Sequence, residues 1–432
     1  MTAGNLSTQW ARLLLSSLAD AGVRDVVLSP GSRSTPFMVA ATNEPRLVCY
    51  DSIDERAGGF FALGQARVTG RASLLICTSG TAGAHYLPAV IEAGLSFLPL
   101  LVLTSDRPLE LQDAGAAQTI DQIKLMGSFT RRFYELGNPD AAPEALSGLR
   151  RLAAQAVHFS QFPVPGAVHL NARARKPLEP RPALTDEERD LEARVDRLMA
   201  RRIVRAQPPV ATPDEGALDA LADRCRSAER GLIVCGPAPA GHIALRPVLA
   251  ALADATGFPI LAETTSQLRR GADAEATFAR CDAFDAILRS PSFRANNPAQ
   301  LIIQIGAPPA SSGFEQYLAA HDRVDHVVVL PYGWHDPASS ATDLVIGDPR
   351  LVLEGVVERL RRSSRPATSP SPSRWAQLFT IADRRAWGVV EAELGEFDEG
   401  RAVRTVVDSL PPGSLFMVGN SLPIREVDTF CP

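Results

Sequence analysis

The stretch RDVVLSPGSRSTPFMVAATNE, Arg24 to Glu44, decides the fold. Its apolar run VVL at 26–28 is typical of a short strand that is buried on both faces. Ser34 or Thr35, followed by Pro36, fits a helix cap and the first position of a helix. The stretch therefore predicts a strand that leads through a tight turn into a helix.

The turn itself, SPGSRSTP at 29–36, has the features of an anion site. Free backbone amides at a helix start, together with the helix dipole, favour a negatively charged group. Gly31 lets the backbone approach closely, and Arg33 can hold a carboxylate or phosphate with two parallel hydrogen bonds. An ordinary solvated turn between a strand and a helix explains the same residues equally well.

Composition excludes several classes of protein. The chain has 432 residues, and its net charge of −5 supplies no basic field for a nucleic acid. No apolar run reaches the ~18 residues that a membrane span needs. The six cysteines form no CxxC pair, which indicates reduced core residues, and the N-terminus lacks the basic region of a signal peptide. We therefore predict a cytoplasmic protein that binds neither nucleic acid nor a membrane.

Short apolar runs alternate with stretches long enough for helices, which predicts an α/β fold of parallel sheets flanked by helices. The runs lie at 26–28, 74–77, 99–106, 167–171, 232–236, 259–263, 301–306, 326–331, 343–348 and 415–420. A charged stretch at 174–213 and a Ser/Pro stretch at 361–375 interrupt this pattern. We predict three domains, over 1–185, 186–366 and 367–432, of which the third has one clear strand and is incomplete.

Polar residues are concentrated in four stretches of the first domain. These are SPGSRSTP at 29–36, DSIDERAGGFFALGQA at 51–66, CTSGTAGAHYLPAVIEA at 77–93 and TSDRPLELQDAGAAQTIDQ at 104–122. All but the second directly follow an apolar run. Because ligands of open parallel sheets bind beyond the carboxyl ends of the strands, we expect these stretches to converge on one crevice.

The individual residues in these stretches leave alternatives open. Glu55 is either a carboxyl that shares a proton with a cofactor nitrogen or an acid that stabilises its own helix dipole. Arg107 is either an anion ligand or the partner of Asp106 or Glu110 in a salt bridge. Gln118 is either a ligand or a surface amide.

As an ordered set, with GNSLPIRE at 419–426, the stretches resemble the 2-succinyl-5-enolpyruvyl-6-hydroxy-3-cyclohexene-1-carboxylate synthase family of menaquinone biosynthesis. The resemblance implies the three-domain fold of thiamine-diphosphate enzymes and a homodimer or homotetramer. It also implies the reaction: 2-oxoglutarate is decarboxylated, and the succinyl-semialdehyde carbanion adds to isochorismate.

The resemblance further implies roles for particular residues. Glu55 is the catalytic carboxylate and binds the cofactor's aminopyrimidine, and Thr78 and Gly80 also bind the cofactor. The substrate-binding set is Ser32, Arg33, Arg107, Gln118, Ser421 and Arg425. Bidentate arginines suit substrates that carry several carboxylates.

The family's metal signature, Gly-Asp followed by Asn, is absent, so we predict no metal ligand in this chain. Gly347-Asp348 fits a turn that ends a strand, and Ser312 stands where many relatives have lysine. Mg²⁺ or Mn²⁺ would then be held by a missing C-terminal part, and the 432-residue chain alone would bind thiamine diphosphate weakly or not at all and would form no product. The alternative is a non-catalytic relative that acts as a binding or interaction protein.

Overall fold

The computed structural model describes residues 3–269, 279–362, 373–411, 413, 414 and 416–432. The chain divides into two compact units, Met1–Pro209 and Val210–Pro432. The domain boundaries near 185 and 366 stay predictions, and most of the Ser/Pro stretch lies at 363–372, outside the described residues. Among the helices of the described ranges, none is long and apolar enough to cross a bilayer.

The first unit is built on a six-stranded sheet in which all neighbours are parallel, in the order β2-β1-β3-β4-β6-β5. Its strands are β1 (Asp25–Leu28), β2 (Val48–Asp51), β3 (Ser73–Cys77), β4 (Leu100–Asp106), β5 (Thr130–Gly137) and β6 (Ala167–Arg173). Its helices are α1 (Ala3–Ala21), α2 (Thr35–Thr42), α3 (Glu55–Thr69), α4 (Ala82–His85), α5 (Leu87–Leu95), α6 (Pro143–Gln161) and α7 (Asp186–Met199).

Helices cover both faces of this sheet, and its central strands are buried on both faces. β3, β4 and β6 are buried along their whole length. One face packs against α1, α2, α6 and α7, and the other packs against α3 and α5. The parallel α/β fold predicted from the alternating apolar runs is confirmed.

The strand order creates a crevice at the carboxyl edge of the sheet. After β1 the chain moves outward to β2, and it then returns to β3 on the other side of β1. The loops that follow β1 and β3 therefore leave the sheet in opposite directions, which is where open α/β sheets bind ligands. The stretch SPGSRSTP begins at this switch point.

The second unit repeats the architecture with the strand order β12-β11-β10-β7-β8-β9, again all parallel. Its strands are β7 (Gly231–Cys235), β8 (Ile260–Ala262), β9 (Arg280–Cys281), β10 (Leu301–Ile305), β11 (Asp325–Leu330) and β12 (Asp343–Ile346). Its helices are α8 (Glu215–Ser227), α9 (Arg246–Thr256), α10 (Phe284–Arg289), α11 (Pro291–Asn296), α12 (Ser312–Ala320), α13 (Pro349–Arg362), α14 (Arg374–Glu393), α15 (Glu399–Ser409) and α16 (Leu422–Phe430).

Helix α14 packs against the second sheet. Trp375 and Phe379 belong to the same apolar cluster as Phe314 and Tyr317 of α12. The Trp375 indole Nε1 donates a hydrogen bond to the Gly231 carbonyl at the start of β7, at 2.8 Å. The strand expected at 415–420 is not formed over the described residues 416–419, which pair with none of the strands that the structure describes.

The opening junction differs from the sequence expectation in one detail. Helix α2 begins at Thr35 with Pro36 in its first turn, as expected, but Ser34 makes no capping hydrogen bond. Its hydroxyl instead donates to the Gly31 carbonyl at 2.8 Å, because the preceding residues form a short 3-10 turn. Ser34 therefore tightens the turn.

Candidate active site

The loops after β1 and β3 are in direct contact at the switch point. A Cβ atom on Gly31 would lie 2.3 Å from the Thr78 Cβ, so no larger residue fits there without moving one loop. The Arg33 backbone N–H donates to the Thr78 hydroxyl at 3.3 Å. The glycine thus serves close packing of two loops, with Arg33 held beside them.

The loop after β3 also meets the long loop after β4. Gly80 has a φ of +82°, which favours glycine, and a Cβ on it would lie 3.3 Å from the Gln118 carbonyl oxygen. Gln118 itself has a φ of +56° and is exposed. The structure therefore brings Thr78, Gly80, Arg33 and Gln118 to one edge of the sheet, and Ser32 lies exposed beside Arg33.

Two guanidinium groups lie close together at this edge. Arg33 is only 4% exposed, and its Nη1 donates to the Ala174 carbonyl at 2.5 Å. Burial lowers the pKa of Arg33, and the nearby positive charge of Arg107 lowers it further. The negative charge of Asp106 opposes these two effects, and a bound anion would stabilise the like-charged pair further.

Both guanidiniums retain hydrogen-bonding capacity. The Nε atoms of Arg33 and Arg107 are buried and have no hydrogen-bond partner among the residues that the structure describes. The hydroxyls of Ser79 and Ser105, at the ends of β3 and β4, are buried without a partner in the same way. Buried polar groups that lack a partner are costly, so these four atoms indicate a site for a polar, hydrogen-bond-accepting ligand.

The salt-bridge alternative for Arg107 is wrong. Asp106 pairs with Arg173, with an N–O distance of 3.0 Å, and both side chains are buried. Glu110 pairs with Arg175 at 2.6 Å on the surface. Among the described residues, the Arg107 Nη2 donates to a backbone carbonyl, that of Ala117, at 2.8 Å.

Glu55 is the first residue of α3 and follows the helix cap Asp54, whose carboxylate accepts from the Ala57 N–H at 2.9 Å. Burial raises the pKa of the Cys77 thiol, and the charge of Glu55 raises it further, so the carboxylate lies near the end of β3. Glu55 is half-buried within the single chain. The N-terminal position also fits an acid that stabilises its own helix.

Ser421 and Arg425 belong to the second unit. Ser421 precedes α16 with a φ of +73°, and its backbone N–H donates to the Asn420 side-chain oxygen at 2.7 Å. Arg425 is exposed at the rim of a small pocket, which is also lined by Glu263, Asp285, Arg289, Ser311 and Asp428.

Two of the pocket's carboxyl groups have altered acidity. Burial raises the pKa of Glu263 to about 7, and the negative charge of Asp428 contributes to the shift. Burial likewise raises the pKa of Asp428 to about 6, although the nearby Arg269 opposes this. These groups lie at the carboxyl end of the second sheet, where Asp428 accepts hydrogen bonds from the Thr264 N–H and from Arg269.

Sequence reasoning missed a set of buried polar side chains in the first unit. Gln122, Asn171 and Asp106 are at most 1% exposed and are hydrogen-bonded to one another in series. The available signal was weak: a polar residue inside each of two apolar runs, Thr104 in β4 and Asn171 in β6. Only the pairing of β4 with β6 reveals that these residues are neighbours.

The described residues contain no group of three or more His, Cys, Asp or Glu side chains that could hold a metal ion. The interpretation of Gly347-Asp348 as a strand-ending turn is confirmed. Gly347 follows β12, and the Asp348 carboxylate accepts from the Arg350 N–H at 2.9 Å, where α13 begins.

Comparison with known proteins agrees with the geometry. Residues 8–125 match the family model described as "Thiamine pyrophosphate enzyme, N-terminal TPP binding domain". The whole chain is 50% identical to a 2-succinyl-5-enolpyruvyl-6-hydroxy-3-cyclohexene-1-carboxylate synthase of Sorangium cellulosum, of which it covers 70%. Synthases of the same name from Haloarcula marismortui and Geobacillus kaustophilus are each 39% identical, over 100% and 98% of this chain and 73% and 70% of theirs. The chain therefore belongs to the 2-succinyl-5-enolpyruvyl-6-hydroxy-3-cyclohexene-1-carboxylate synthase family of thiamine-diphosphate-dependent enzymes.

Proposed function

We propose that this protein decarboxylates 2-oxoglutarate and adds the remaining four-carbon unit to isochorismate, with thiamine diphosphate as its cofactor, in menaquinone biosynthesis. The product named for its relatives, a succinylated cyclohexene carboxylate, requires substrates with several carboxylates. The observation that carries the proposal is the pair formed by buried Arg33 and half-buried Arg107, whose Nε atoms are buried and lack partners within the described chain. Such a pair suits a carboxylate, which can accept two parallel hydrogen bonds from one guanidinium.

The residues at the switch point fit the pyrimidine end of the cofactor. Glu55, Thr78 and Gly80 would hold it, and Gly80 has a φ of +82°, a backbone conformation that favours glycine. Bound thiamine diphosphate supplies an electron sink for decarboxylation. Glu55 would hold and return a proton at a ring nitrogen of the cofactor, a step that needs a carboxyl within hydrogen-bond reach.

Substrate binding falls to the cationic and amide groups. Arg33 and Arg107 would each take a substrate carboxylate, with Gln118 and Ser32 at the open side of the crevice. Ser421 and Arg425 of the second unit complete the proposed substrate set. Since each guanidinium is held by one backbone carbonyl, of Ala174 or Ala117, its orientation is set before a ligand arrives.

The metal ion, the oligomeric state and the cellular compartment are further parts of the proposal, and each is supported by a different observation. Mg²⁺ or Mn²⁺ belongs to it through the family, and none of the steps above uses a metal, since the described residues do not form a ligand set.

A homodimer or homotetramer is supported by the exposed apolar residues Ile53, Phe60 and Phe61 around Glu55. A cytoplasmic location is supported by the six cysteines, which are all free. Family membership disfavours the non-catalytic alternative.

The proposal is tested with the purified full-length enzyme, thiamine diphosphate, Mg²⁺, 2-oxoglutarate and isochorismate. We expect carbon dioxide release and loss of isochorismate in equal amounts, and mass spectrometry should find the succinylated product. Reactions without the cofactor, or with pyruvate in place of 2-oxoglutarate, serve as controls. Cofactor binding without consumption of isochorismate would contradict the proposed reaction.

A further inference from the structure

One buried chain of hydrogen bonds links the Gly80 loop to the Arg107 loop. It begins at Gln122, whose side-chain oxygen accepts from the Gly80 N–H at 2.9 Å. The Gln122 amide nitrogen donates to the Asn171 side-chain oxygen at 2.9 Å and to the Ser105 carbonyl at 3.2 Å. Only one orientation of the amide satisfies these partners, because a backbone N–H requires an acceptor and a carbonyl requires a donor.

Asn171, on β6, continues the chain. Its Nδ2 donates to Asp106 at 2.9 Å and to Glu135 at 2.8 Å, and its Oδ1 also accepts from the Thr104 hydroxyl at 2.9 Å. Both hydrogens and both lone pairs of this amide are therefore used. A fully satisfied network of this kind, buried in a medium of low polarity, is rigid.

Asp106 ends the chain at the second loop. One of its oxygens accepts from the backbone N–H of Arg107 at 2.7 Å, and the other lies 3.0 Å from the Arg173 guanidinium. This second oxygen also accepts from the Asn171 Nδ2, so Asn171 and Arg173 hold it together. Through the carboxylate, the backbone at Arg107 is tied to the same network as the backbone at Gly80.

We propose that Gln122 and Asn171 are positioning residues that hold the cofactor loop at Gly80 and the substrate loop at Arg107 in one fixed relation. This inference rests on the proposed function for the roles of Gly80 and Arg107. Neither positioning residue touches the crevice, since each is at most 1% exposed. Their effect on the reaction passes through the two backbone N–H groups.

The direct test is amide hydrogen exchange of the protein without ligands. Gln122→Met removes the acceptor at constant length, so the Gly80 amide should exchange at least about tenfold faster. The matched control is Gln9→Met, which replaces a buried glutamine of α1 in the same unit, whose side-chain oxygen accepts from Arg12. It should leave the Gly80 amide unchanged. Unchanged Gly80 exchange in Gln122→Met would overturn the proposal.

The functional test measures cofactor affinity and Michaelis constants. Gln122→Met should weaken thiamine diphosphate binding about five- to tenfold relative to Gln9→Met, the effect expected for loss of one buried hydrogen bond. Asn171→Leu should also raise the Michaelis constants of both substrates, because it releases Asp106. The control is Asn5→Leu, which replaces a buried asparagine whose side-chain atoms have no partner among the described residues. If each variant and its control have equal effects, Gln122 and Asn171 have a purely structural role.

Gln122→Glu provides a rescue that depends on pH. Its carboxyl keeps an acceptor for the Gly80 N–H, but it donates toward Asn171 only when it is protonated. Cofactor affinity relative to the unsubstituted protein should therefore recover as pH falls from about 8 to about 6. Absence of any recovery over that range contradicts the proposal.

The proposed reaction and the positioning role fail in different ways. If Gln122→Met loosens Gly80 and weakens cofactor binding, but the unsubstituted protein forms no product, the reaction fails and the positioning role stands.

Discussion

Arg33 and Arg107 illustrate what a single residue contributes to this site. Each follows a different strand, and folding places their charges close enough for Arg107 to lower the pKa of Arg33. The repulsion persists because each guanidinium is anchored on a backbone carbonyl, and Arg33 is buried. A bound carboxylate removes the repulsion and satisfies the free Nε–H groups, so the unliganded site is prepared for an anion.

We predict that Arg33→Lys, Arg107→Lys and Arg425→Lys each raise a substrate Michaelis constant by about tenfold or more. Lysine keeps the charge but lacks the planar, bidentate geometry. Arg175→Lys is the control, because Arg175 forms an exposed pair with Glu110, and such pairs contribute about 0–1 kcal/mol. Steady-state kinetics with each substrate varied in turn makes the comparison. Unchanged constants in all three variants would exclude these arginines from substrate binding.

Glu55→Gln separates the two interpretations of this carboxylate. If Glu55 moves a proton for the cofactor, turnover should fall by about two orders of magnitude while the thermal midpoint changes little. Glu144→Gln is the matched control, since Glu144 is an exposed acid in the first turn of α6. Removal of a helix-terminal acid costs about 0.3–1 kcal/mol of stability and leaves turnover unchanged. Near-normal turnover in Glu55→Gln would leave only the helix-dipole role.

At the scale of secondary structure, the site depends on the close contact of two loops at the switch point. That contact exists because Gly31 has no side chain and Thr78 occupies the space where one would lie. Gly31 has an extended backbone, with a φ of −179°, so its requirement is for space and not for a left-handed conformation.

Gly31→Ala should therefore destabilise the first unit by about 1–3 kcal/mol, the usual cost of overpacking, and weaken cofactor binding. The control Gly148→Ala lies inside α6, where an added Cβ meets nothing within 4 Å. It should stabilise the protein by about 0.5–1 kcal/mol, because alanine favours a helix interior over glycine. Chemical denaturation of both variants tests this difference in sign. A Gly31→Ala protein as stable as the unsubstituted one would show that Thr78 moves freely.

At the scale of the whole molecule, the two units respond to pH in opposite directions. Burial lowers the pKa of His169 in the first unit to about 4, and the Thr104 hydroxyl lies 2.7 Å from its Nε2. The unfolded chain therefore binds the proton more tightly, and the first unit should lose stability as pH falls from about 6.5 toward 4. His169→Gln should flatten this dependence when unfolding is followed by hydrogen exchange of β6. If the pH dependence of stability persists in His169→Gln, another titratable group causes it.

The second unit should lose stability as pH rises from about 4.5 to about 7. Over this range folded Glu263, with its raised pKa, retains a proton that the unfolded chain has released. The pKa of Asp428 is raised in the same way. The positive charge of Arg269 opposes the pKa shifts of both carboxyl groups, whereas the negative charges of Asp282 and Asp285 add to the shift of Asp428. Glu263→Gln should reduce the slope, which hydrogen exchange of β8 would measure. A slope of the opposite sign would mean that the Arg269 charge outweighs burial.

The sequence by itself determined the fold class and indicated the stretches of the candidate site. Apolar runs long enough to be buried predicted nine strands correctly, because central parallel strands need no polar face. The edge strands β2 and β5 were missed, since both are partly exposed and carry polar residues that resemble loops. The short edge strand β9, two residues long, left no pattern to detect.

Only the tertiary structure decided which residues become neighbours. The order β2-β1-β3-β4-β6-β5 places the loops after β1 and β3 at a switch point, and no local pattern specifies that order. It also aligns Thr104 with Asn171, which builds the network from Gly80 to Arg107. The physical reason is that an apolar run encodes burial but not its partner strand, and hydrogen bonds between distant side chains form only once the partners are packed together.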